Sequence, residues 1–300
     1  MKEALTLWKF SRPHTVIGSA ISIVTLYIII CKDCKSEHLP LLMMVLIMGV
    51  ACNVFIVGIN QIADVNIDLI NKPYLPIPAG ILSVQRAKII VSVALILSLS
   101  LALFISIYLF LIIFLSAAIG WAYSMPPLYL KKHHLTSALA ITIVRGILIN
   151  VGGFLVINYI VNKSIGLPTD VKILAGFIII FSFVISWFKD LPDIEGDSKY
   201  KIKTLAIVYS PKSVFIIGTF LISLTYLITI SLKLPDIINT PTPSLSALVL
   251  FYGNIFLFVL FVFNSFAIDL TNHGSIKIFY KRFWLFFFAE YMLFLIAYIF

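Results

Sequence analysis

Long apolar runs separated by short polar segments follow one another along the whole chain. A helix that crosses a bilayer needs about 20 apolar residues, and most of these runs are close to that length. The stretch around Ile107 is too long for one crossing, so we divide it there into two spans. The predicted spans cover residues 14–31, 40–59, 87–106, 108–124, 138–158, 171–188, 212–232, 246–268 and 279–299. The pattern predicts an all-α, polytopic membrane protein with nine transmembrane helices, forming a single domain over residues 1–300.

The composition argues against a soluble globular protein and against a disordered one. Hydrophobic residues make up 61% of the chain and charged residues 12%, whereas soluble domains contain about 45–50% and about 25%, respectively. The net charge of +9 suits nucleic-acid binding in a soluble protein. In a membrane protein, however, basic residues collect in cytoplasmic loops, so we interpret the charge as a record of orientation and expect no nucleic-acid partner.

Basic residues are distributed unevenly between the two sides that nine spans create. Sixteen of the 22 Lys and Arg residues fall at the N-terminus, in the loops after spans two, four, six and eight, or at the span ends that adjoin these loops, and five fall on the other side. The remaining one, Arg145, is predicted inside span five, within a turn or two of its cytosolic end. Because cytoplasmic loops carry the excess of positive charge, this asymmetry places the N-terminus in the cytoplasm. An eight-span arrangement would remove the asymmetry.

The few acidic residues are concentrated at two helix ends. The first stripe consists of Asn60, Asp64 and Asp68, and the second of Asp190, Asp193 and Asp197. Residues four apart share one face of a helix, and Asp190 lies close to the face of the other two. Asp64 and Asp193 are 129 residues apart, as are Asp68 and Asp197. Each stripe follows an even-numbered span, so both are predicted on the same side of the membrane.

Two carboxylate stripes near a membrane indicate a cation-binding site. Neighbouring carboxylates repel one another and are costly to place near lipid, and a divalent cation offsets both effects. Mg²⁺ binds carboxylates together with substrate phosphates. We therefore expect two Mg²⁺ ions bridging one diphosphate, with Asp64, Asp68, Asp193 and Asp197 as the catalytic groups that stabilise the leaving charge. Helix capping or surface acidity would explain one stripe more readily than a matched pair.

Lysines adjoin both stripes and offer mobile positive charge to a phosphate. The candidate diphosphate ligands are Asn60, Lys72, Lys189, Lys199 and Lys203. The alternative is that these lysines are ordinary interfacial anchors, which is how we interpret Lys131 and Lys132. Arg145 is a further candidate, because an arginine inside a span indicates a binding site. It could bind diphosphate or an aromatic carboxylate, or its side chain could extend to the interface.

Three extended motifs carry a resemblance to a known family. They are Trp8-Lys-Phe-Ser-Arg-Pro-His14, the segment from Asn60 through Asn71-Lys-Pro-Tyr-Leu-Pro to Gly80, and Phe188-Lys-Asp-Leu-Pro-Asp-Ile-Glu-Gly-Asp197. With their NxxxD and DxxxD patterns on helix ends, they resemble the UbiA superfamily of intramembrane aromatic prenyltransferases, in particular its homogentisate prenyltransferase branch. The resemblance covers essentially the whole chain, and neither aspartate motif departs from it.

The resemblance implies nine helices around a central cavity, with Mg²⁺ and prenyl diphosphate at its cytosolic mouth. The implied metal ligands are Asn60, Asp64, Asp68, Asp190, Asp193 and Asp197. Arg12 and His14 would lie near the aromatic acceptor, and Tyr123, at the end of span four, is a third candidate for contact with substrate. The implied partners are the lipid bilayer, phytyl or geranylgeranyl diphosphate, and homogentisate or a related acceptor.

The implied reaction is Mg²⁺-dependent transfer of a prenyl group to homogentisate with loss of CO₂ and diphosphate. We expect phytyl as the prenyl group, which would make this the committed step of tocopherol-type prenylquinone synthesis. The resemblance also implies the plasma or thylakoid membrane of a photosynthetic bacterium.

Two other functions remain open at this point. A related prenyltransferase could use chlorophyllide or another quinone precursor as acceptor. A cation-coupled transporter would also place acids in its membrane helices, but its sites lie near the midplane rather than at helix ends. The pair Cys31 and Cys34 forms a CxxC in a polar loop; with no second pair or histidine cluster, it is weak evidence for zinc or redox chemistry.

Overall fold

The computed structural model describes residues 2–31 and 38–300, and the regular elements in these residues are helices. Cys34 lies outside the described residues. In chain order the helices are α1 (Lys2–Phe10), α2 (Pro13–Ile30), α3 (Leu39–Ala63), α4 (Val65–Asn71), α5 (Val84–Ile105), α6 (Ile107–Ser124), α7 (His134–Thr142), a π-helical segment (Ile143–Gly153), α8 (Phe154–Asn162), α9 (Thr169–Phe188), α10 (Ile194–Lys199), α11 (Leu205–Val208), α12 (Pro211–Ile238), α13 (Leu245–Phe266) and α14 (His273–Ile299).

Within the described residues, nine helical segments are long and apolar enough to cross a membrane. They are α2, α3, α5, α6, the continuous stretch His134–Asn162, the stretch Thr169–Lys199 that begins with α9, and α12, α13 and α14. The predicted all-α class and the number of spans are confirmed. The chain is an integral, multi-pass membrane protein.

The break between spans three and four is at Ser106, one residue from the predicted position. Ser106 has an extended backbone, with φ −168° and ψ 141°, between the end of α5 at Ile105 and the start of α6 at Ile107. Its Oγ accepts a hydrogen bond of 3.2 Å from the backbone N–H of Tyr108. A side-chain oxygen that caps the first turn of a helix stabilises its start, so the long apolar stretch forms two helices.

The chain divides into two compact units. The first unit comprises the described residues of 2–23, 38–140 and 193–204, and the second those of 24–31, 141–192 and 205–300. In the first unit, α3 packs against α5 and α6, and its apolar core includes Phe10, Phe55, Val91 and Ala117. The side-chain amide of Gln61 donates a hydrogen bond of 2.5 Å to the carbonyl of Phe10. This bond ties the end of α1 to the last turns of α3, close to the first acidic stripe.

The second unit is held together by an aromatic core. In this unit α9 packs against α12 and α14, and α13 packs against α12 and α14. The rings of Phe181 and Phe283 stack with centroids 4.2 Å apart, and Phe188 meets Phe283 edge-on at 4.8 Å. Aromatic pairs at these distances stabilise beyond the area they bury. Within this unit Lys233, near the end of α12, forms ion pairs with Asp170 and Asp236.

Candidate functional site

The first acidic stripe spans the junction between α3 and α4 rather than one uninterrupted helix. Asp64 is the junction residue, with φ −100° and ψ 12°. Hydrogen bonds of helical spacing nevertheless continue through it: the backbone N–H of Asp64 donates to the carbonyl of Asn60 (2.9 Å), and that of Asp68 to the carbonyl of Asp64 (2.7 Å). Asn60 Nδ2 donates to Asp64 Oδ2 at 2.9 Å. The stripe therefore keeps its common face, and both aspartates are buried.

The second stripe is distributed over three short pieces of backbone. Asp190 follows α9, Asp193 ends a single 3₁₀ turn, and Asp197 lies in α10. Asp193 and Asp197 belong to the first unit, as the first stripe does. Asp190 belongs to the second unit, where its carboxylate pairs with the ammonium group of its neighbour Lys189.

Asn71, which the family motif includes without a predicted role, connects the two stripes. Asn71, the last residue of α4, donates from Nδ2 to the carbonyl of Asp193 (3.0 Å), and its Oδ1 accepts from the backbone N–H of Gly196 (2.9 Å). Lys72 forms an ion pair with Asp193. The helix end that carries Asp68 is thus fixed against the start of α10. The sequence signal for Asn71 was its place in the motif Asn71-Lys-Pro-Tyr-Leu-Pro beside the first acidic stripe.

Each of three aspartates in the first unit is matched with a basic side chain. Lys131 pairs with Asp64, Lys72 pairs with Asp193, and Arg12 Nη2 lies 3.8 Å from Asp68 Oδ2. The interpretation of Lys131 as an interfacial anchor is wrong, because its side chain is only 7% exposed and it forms this ion pair. Basic groups offset the charge of the acidic stripes in this arrangement.

The local environment shifts the ionisation of several of these groups. Burial raises the pKa of Asp68, and the nearby cations Arg12 and Lys72 oppose this effect. Burial is also the largest influence on Lys72 and lowers its pKa, but the carboxylates of Asp193 and Asp68 outweigh it and the net pKa is raised. A negatively charged site therefore keeps Lys72 in its cationic form.

Tyr129 links the lysine of the 125–133 loop to both acidic stripes. The ammonium group of Lys131 lies 5.0 Å from the centre of the Tyr129 ring, which is within the range of a cation–π contact. Burial, followed by the charges of Asp64 and Asp197, raises the pKa of Tyr129 to about 12. The phenol is therefore a neutral hydrogen-bond donor at physiological pH.

The loop that carries Lys131 is anchored by a short backbone pairing. The backbone N–H of Lys203 donates to the carbonyl of Lys132 (2.9 Å), and that of His134 donates to the carbonyl of Lys203 (3.1 Å). The segment after α10 is thereby attached to the start of α7. This pairing uses the backbone of Lys203, whereas its side chain and that of Lys199 are exposed.

The remaining predicted site residues are spread over both units. In the first unit, Asn60 Nδ2 also donates to Ser124 Oγ (3.3 Å), and the hydroxyls of Tyr123 and Ser137 are 3.3 Å apart. His14 is half-buried near the start of α2. Arg145 lies in the second unit, within the π-helical segment. It is deeper than expected, since its span begins at His134, 11 residues earlier, or about 16 Å along a helix.

The oxygen donors of the first unit suit a hard divalent cation. Asp68 Oδ2 is buried without a hydrogen-bond partner among the described residues, and carboxylate and amide oxygens from both stripes lie in the same unit. The described residues contain no ready group of three Asp, Glu, His or Cys side chains in metal-binding geometry. The carboxylates are instead paired with Lys131, Lys72 and Arg12, which a bound metal would have to displace.

Gly196 packs closely against Asn71. A Cβ atom at this position would lie 2.5 Å from Asn71 Oδ1, so Gly196→Ala is expected to displace Asn71 and break both of its hydrogen bonds. We predict a loss of about 10–100-fold in kcat/KM with little change in melting temperature, measured by enzyme assay and by thermal unfolding in detergent. The matched control is Gly176→Ala in α9, where a Cβ meets nothing within 4 Å. Equal activities of the two variants would contradict the inference that Asn71 holds the end of α4 against α10.

The chain is similar to known proteins in sequence and in fold. The model of the UbiA prenyltransferase family matches residues 21–289. Homogentisate phytyltransferase of Synechocystis sp. (strain ATCC 27184 / PCC 6803 / Kazusa) is 37% identical, over 99% of this chain and 96% of the relative. Homogentisate solanesyltransferase of Arabidopsis thaliana is 37% identical over 66% of this chain and 54% of its own length. The structure of a UbiA homologue from Archaeoglobus fulgidus bound to GPP and Mg²⁺ shares the fold, with a TM-score of 0.65 at 16% identity over 96% of this chain and 99% of the homologue.

Proposed function

Since the chain belongs to the UbiA prenyltransferase family, we propose that it transfers a phytyl group from phytyl diphosphate to homogentisate, with release of CO₂ and diphosphate. The observation that carries the proposal is the 37% identity to a homogentisate phytyltransferase over nearly the full length of both chains. Other homogentisate prenyltransferases with comparable identity carry a different prenyl name, such as solanesyl. Homogentisate as acceptor therefore rests on more relatives than phytyl as donor. Family membership favours an enzyme over a cation-coupled transporter.

The two acidic stripes are proposed to hold Mg²⁺ and the diphosphate of the donor. Asn60, Asp64, Asp68, Asp193 and Asp197 supply oxygen ligands in the first unit, and Asp190 is retained as a sixth candidate. The chemistry that bound Mg²⁺ supplies is neutralisation of the charge that develops on diphosphate as its bond to the prenyl carbon breaks. The Mg²⁺ and GPP named for the Archaeoglobus homologue support this choice of cofactor and donor class.

The basic side chains of the first unit are proposed to pair first with the aspartates and then with the diphosphate. Without substrate, Lys131, Lys72 and Arg12 neutralise the aspartates. With Mg²⁺ bound to the carboxylates, these cations would be available to the diphosphate oxygens, for which a lysine is a mobile point charge. Lys199, Lys203 and Lys189 are retained as outer diphosphate contacts, and His14 and Tyr123 as contacts to the aromatic acceptor.

The orientation and membrane of the protein are part of the proposal. The excess of basic residues on the side that carries the N-terminus and both stripes supports a cytoplasmic active-site mouth. The similarity to a Synechocystis protein supports a photosynthetic bacterial membrane, either plasma or thylakoid.

The proposal is tested by assaying membranes that contain the chain with homogentisate and a panel of prenyl diphosphates. Phytyl, geranylgeranyl and solanesyl diphosphate are compared with and without EDTA, and the products are identified by mass spectrometry. We expect a decarboxylated phytyl quinol, the highest kcat/KM with phytyl diphosphate, and no product in EDTA. A preference for another donor would contradict the phytyl assignment, and prenylation of chlorophyllide instead of homogentisate would contradict the acceptor. Ion flux without consumption of any prenyl diphosphate would contradict the enzyme.

A further inference from the structure

The second unit contains an unusual helix that carries a half-buried positive charge, Arg145. Ile143–Gly153 forms a π-helix of 11 residues in the middle of the fifth span. π-Helices are uncommon, occur mostly as single turns, and are often found at functional sites. The wider turn of a π-helix is a less favourable backbone geometry than that of an α-helix. A π-helical segment of this length therefore has to be stabilised by its surroundings.

Three contacts within the second unit hold the π-helix in place. Asn150 Nδ2 donates a hydrogen bond of 2.6 Å to the carbonyl of Arg145, and Tyr291 Oη donates one of 2.7 Å to Asn150 Oδ1. Both Asn150 and Tyr291 are buried. At Gly146, a Cβ atom would lie 3.1 Å from the Cα of Ile179, so α9 approaches the backbone beside Arg145 closely. These contacts fix the position of Arg145.

The guanidinium group of Arg145 lies against two aromatic rings of α14. Its central carbon is 4.9 Å from the ring centre of Trp284 and 5.4 Å from that of Phe287. The phenols of Tyr280 and Tyr291 are its other polar neighbours. Aromatic faces stabilise a cation, but they leave the N–H groups in the guanidinium plane free to donate.

Among the residues that the structure describes, no carboxylate pairs with Arg145 and no acceptor receives a hydrogen bond from its guanidinium. Glu290, the buried carboxyl group of α14, has Asn254 and Tyr226 as its polar neighbours. A cation inside a membrane span without an anion is unfavourable and indicates a ligand site. An anion supplied by a ligand would complete the contacts of Arg145.

The surroundings of Arg145 favour a single carboxylate over a diphosphate. A planar guanidinium matches a carboxylate through two parallel hydrogen bonds, and the rings of Trp284 and Phe287 provide an apolar wall for an aromatic ligand. A diphosphate carries more charge and requires several cations or metal ions, and the described part of the chain provides these around the acidic stripes of the first unit. We propose that Arg145 binds the carboxylate of the aromatic acid acceptor, an inference that rests on the proposed function.

The test compares the KM values for the two substrates in Arg145→Gln, Arg145→Lys and the control Arg86→Gln, which changes an exposed arginine. Loss of a charged hydrogen-bonded pair predicts a KM for homogentisate raised about 100-fold in Arg145→Gln. The KM for prenyl diphosphate should stay within about threefold, and Arg145→Lys should be intermediate because it keeps the charge but loses the paired geometry. A rise confined to the KM for prenyl diphosphate, or no change in either KM, would overturn the inference.

A binding measurement without the donor separates this inference from the proposed function and from misfolding. Tryptophan fluorescence of the purified protein is titrated with homogentisate and with its methyl ester, which lacks the negative charge. The wild type should prefer the acid by about 100-fold, and Arg145→Gln should bind both alike with an unchanged melting temperature. A wild type that neither binds nor prenylates homogentisate overturns the proposed function together with the inference. A wild type that binds and prenylates it, with the same preference for the acid in Arg145→Gln, overturns the inference alone.

Discussion

Asp64→Asn and Asp193→Asn are each expected to lower Mg²⁺-dependent prenyl transfer by at least about 1,000-fold. Each change removes a charged oxygen ligand and also leaves a basic group, Lys131 or Lys72, without its partner. An amide has nearly the same shape as a carboxylate, so helix packing is retained while the charge is lost. The measurement is product formation by purified protein in detergent over a range of Mg²⁺ concentrations.

The control for these variants is Asp269→Asn, which changes an exposed loop aspartate outside both stripes. It should retain activity within about twofold, as surface substitutions generally do. Melting curves of all three variants distinguish a lost metal site from a lost fold. Prenyl transfer at more than about a tenth of the wild-type rate in either Asp64→Asn or Asp193→Asn would contradict the assignment of the stripes as metal and diphosphate ligands.

Lys131→Met is expected to have two opposite effects on the same enzyme. The value of kcat/KM for prenyl diphosphate should fall about 100-fold, because a charge close to the leaving group is lost. The Mg²⁺ concentration required for half-maximal activity should also fall, because Lys131 no longer competes with the metal for Asp64. Methionine preserves most of the length and apolar volume of the buried side chain, so the loop should keep its position.

Lys132→Met provides a matched control for this result. Lys132 is adjacent in sequence and identical in type, but its side chain is exposed. Its removal should change kcat/KM by less than about threefold, since exposed charges contribute little. A fall in both kcat/KM and the Mg²⁺ requirement of Lys131→Met would show that Lys131 and the metal compete for Asp64. Loss of a purely structural ion pair would instead lower the melting temperature without shifting the Mg²⁺ dependence. Identical kinetics for the two variants would contradict a role for Lys131 at the diphosphate.

The order of the spans could be predicted because membrane crossing depends on local sequence. A run of about 20 apolar residues is long enough to span by itself, and a run too long for one span has to be divided, as it is at Ser106. The acidic stripes could be predicted equally well, because residues four apart on a helix lie on one face regardless of how the rest of the chain folds. The spacing survives even where Asp64 interrupts the helix.

The partners of the acidic residues could not be predicted, because they depend on how distant segments meet. Lys131 is separated from Asp64 by 67 residues, and Asn71 from Gly196 by 125 residues. No periodicity in a polar loop indicates which of two adjacent lysines is turned inward. The same limitation applies to the depth of Arg145, since the π-helix around it also depends on contacts from α9 and α14.

By itself, then, the sequence determined the helical class, the nine spans, the two acidic stripes and the family resemblance, because each depends on residue type and on spacing along one helix or one motif. Only the tertiary structure decided that Lys131 neutralises Asp64, that Asn71 joins α4 to α10, and that Arg145 lies against Trp284 and Phe287. Hydrophobic length and helical periodicity act over a few turns of chain. Charge pairing and hydrogen bonding between remote segments arise only when packing has brought those segments together.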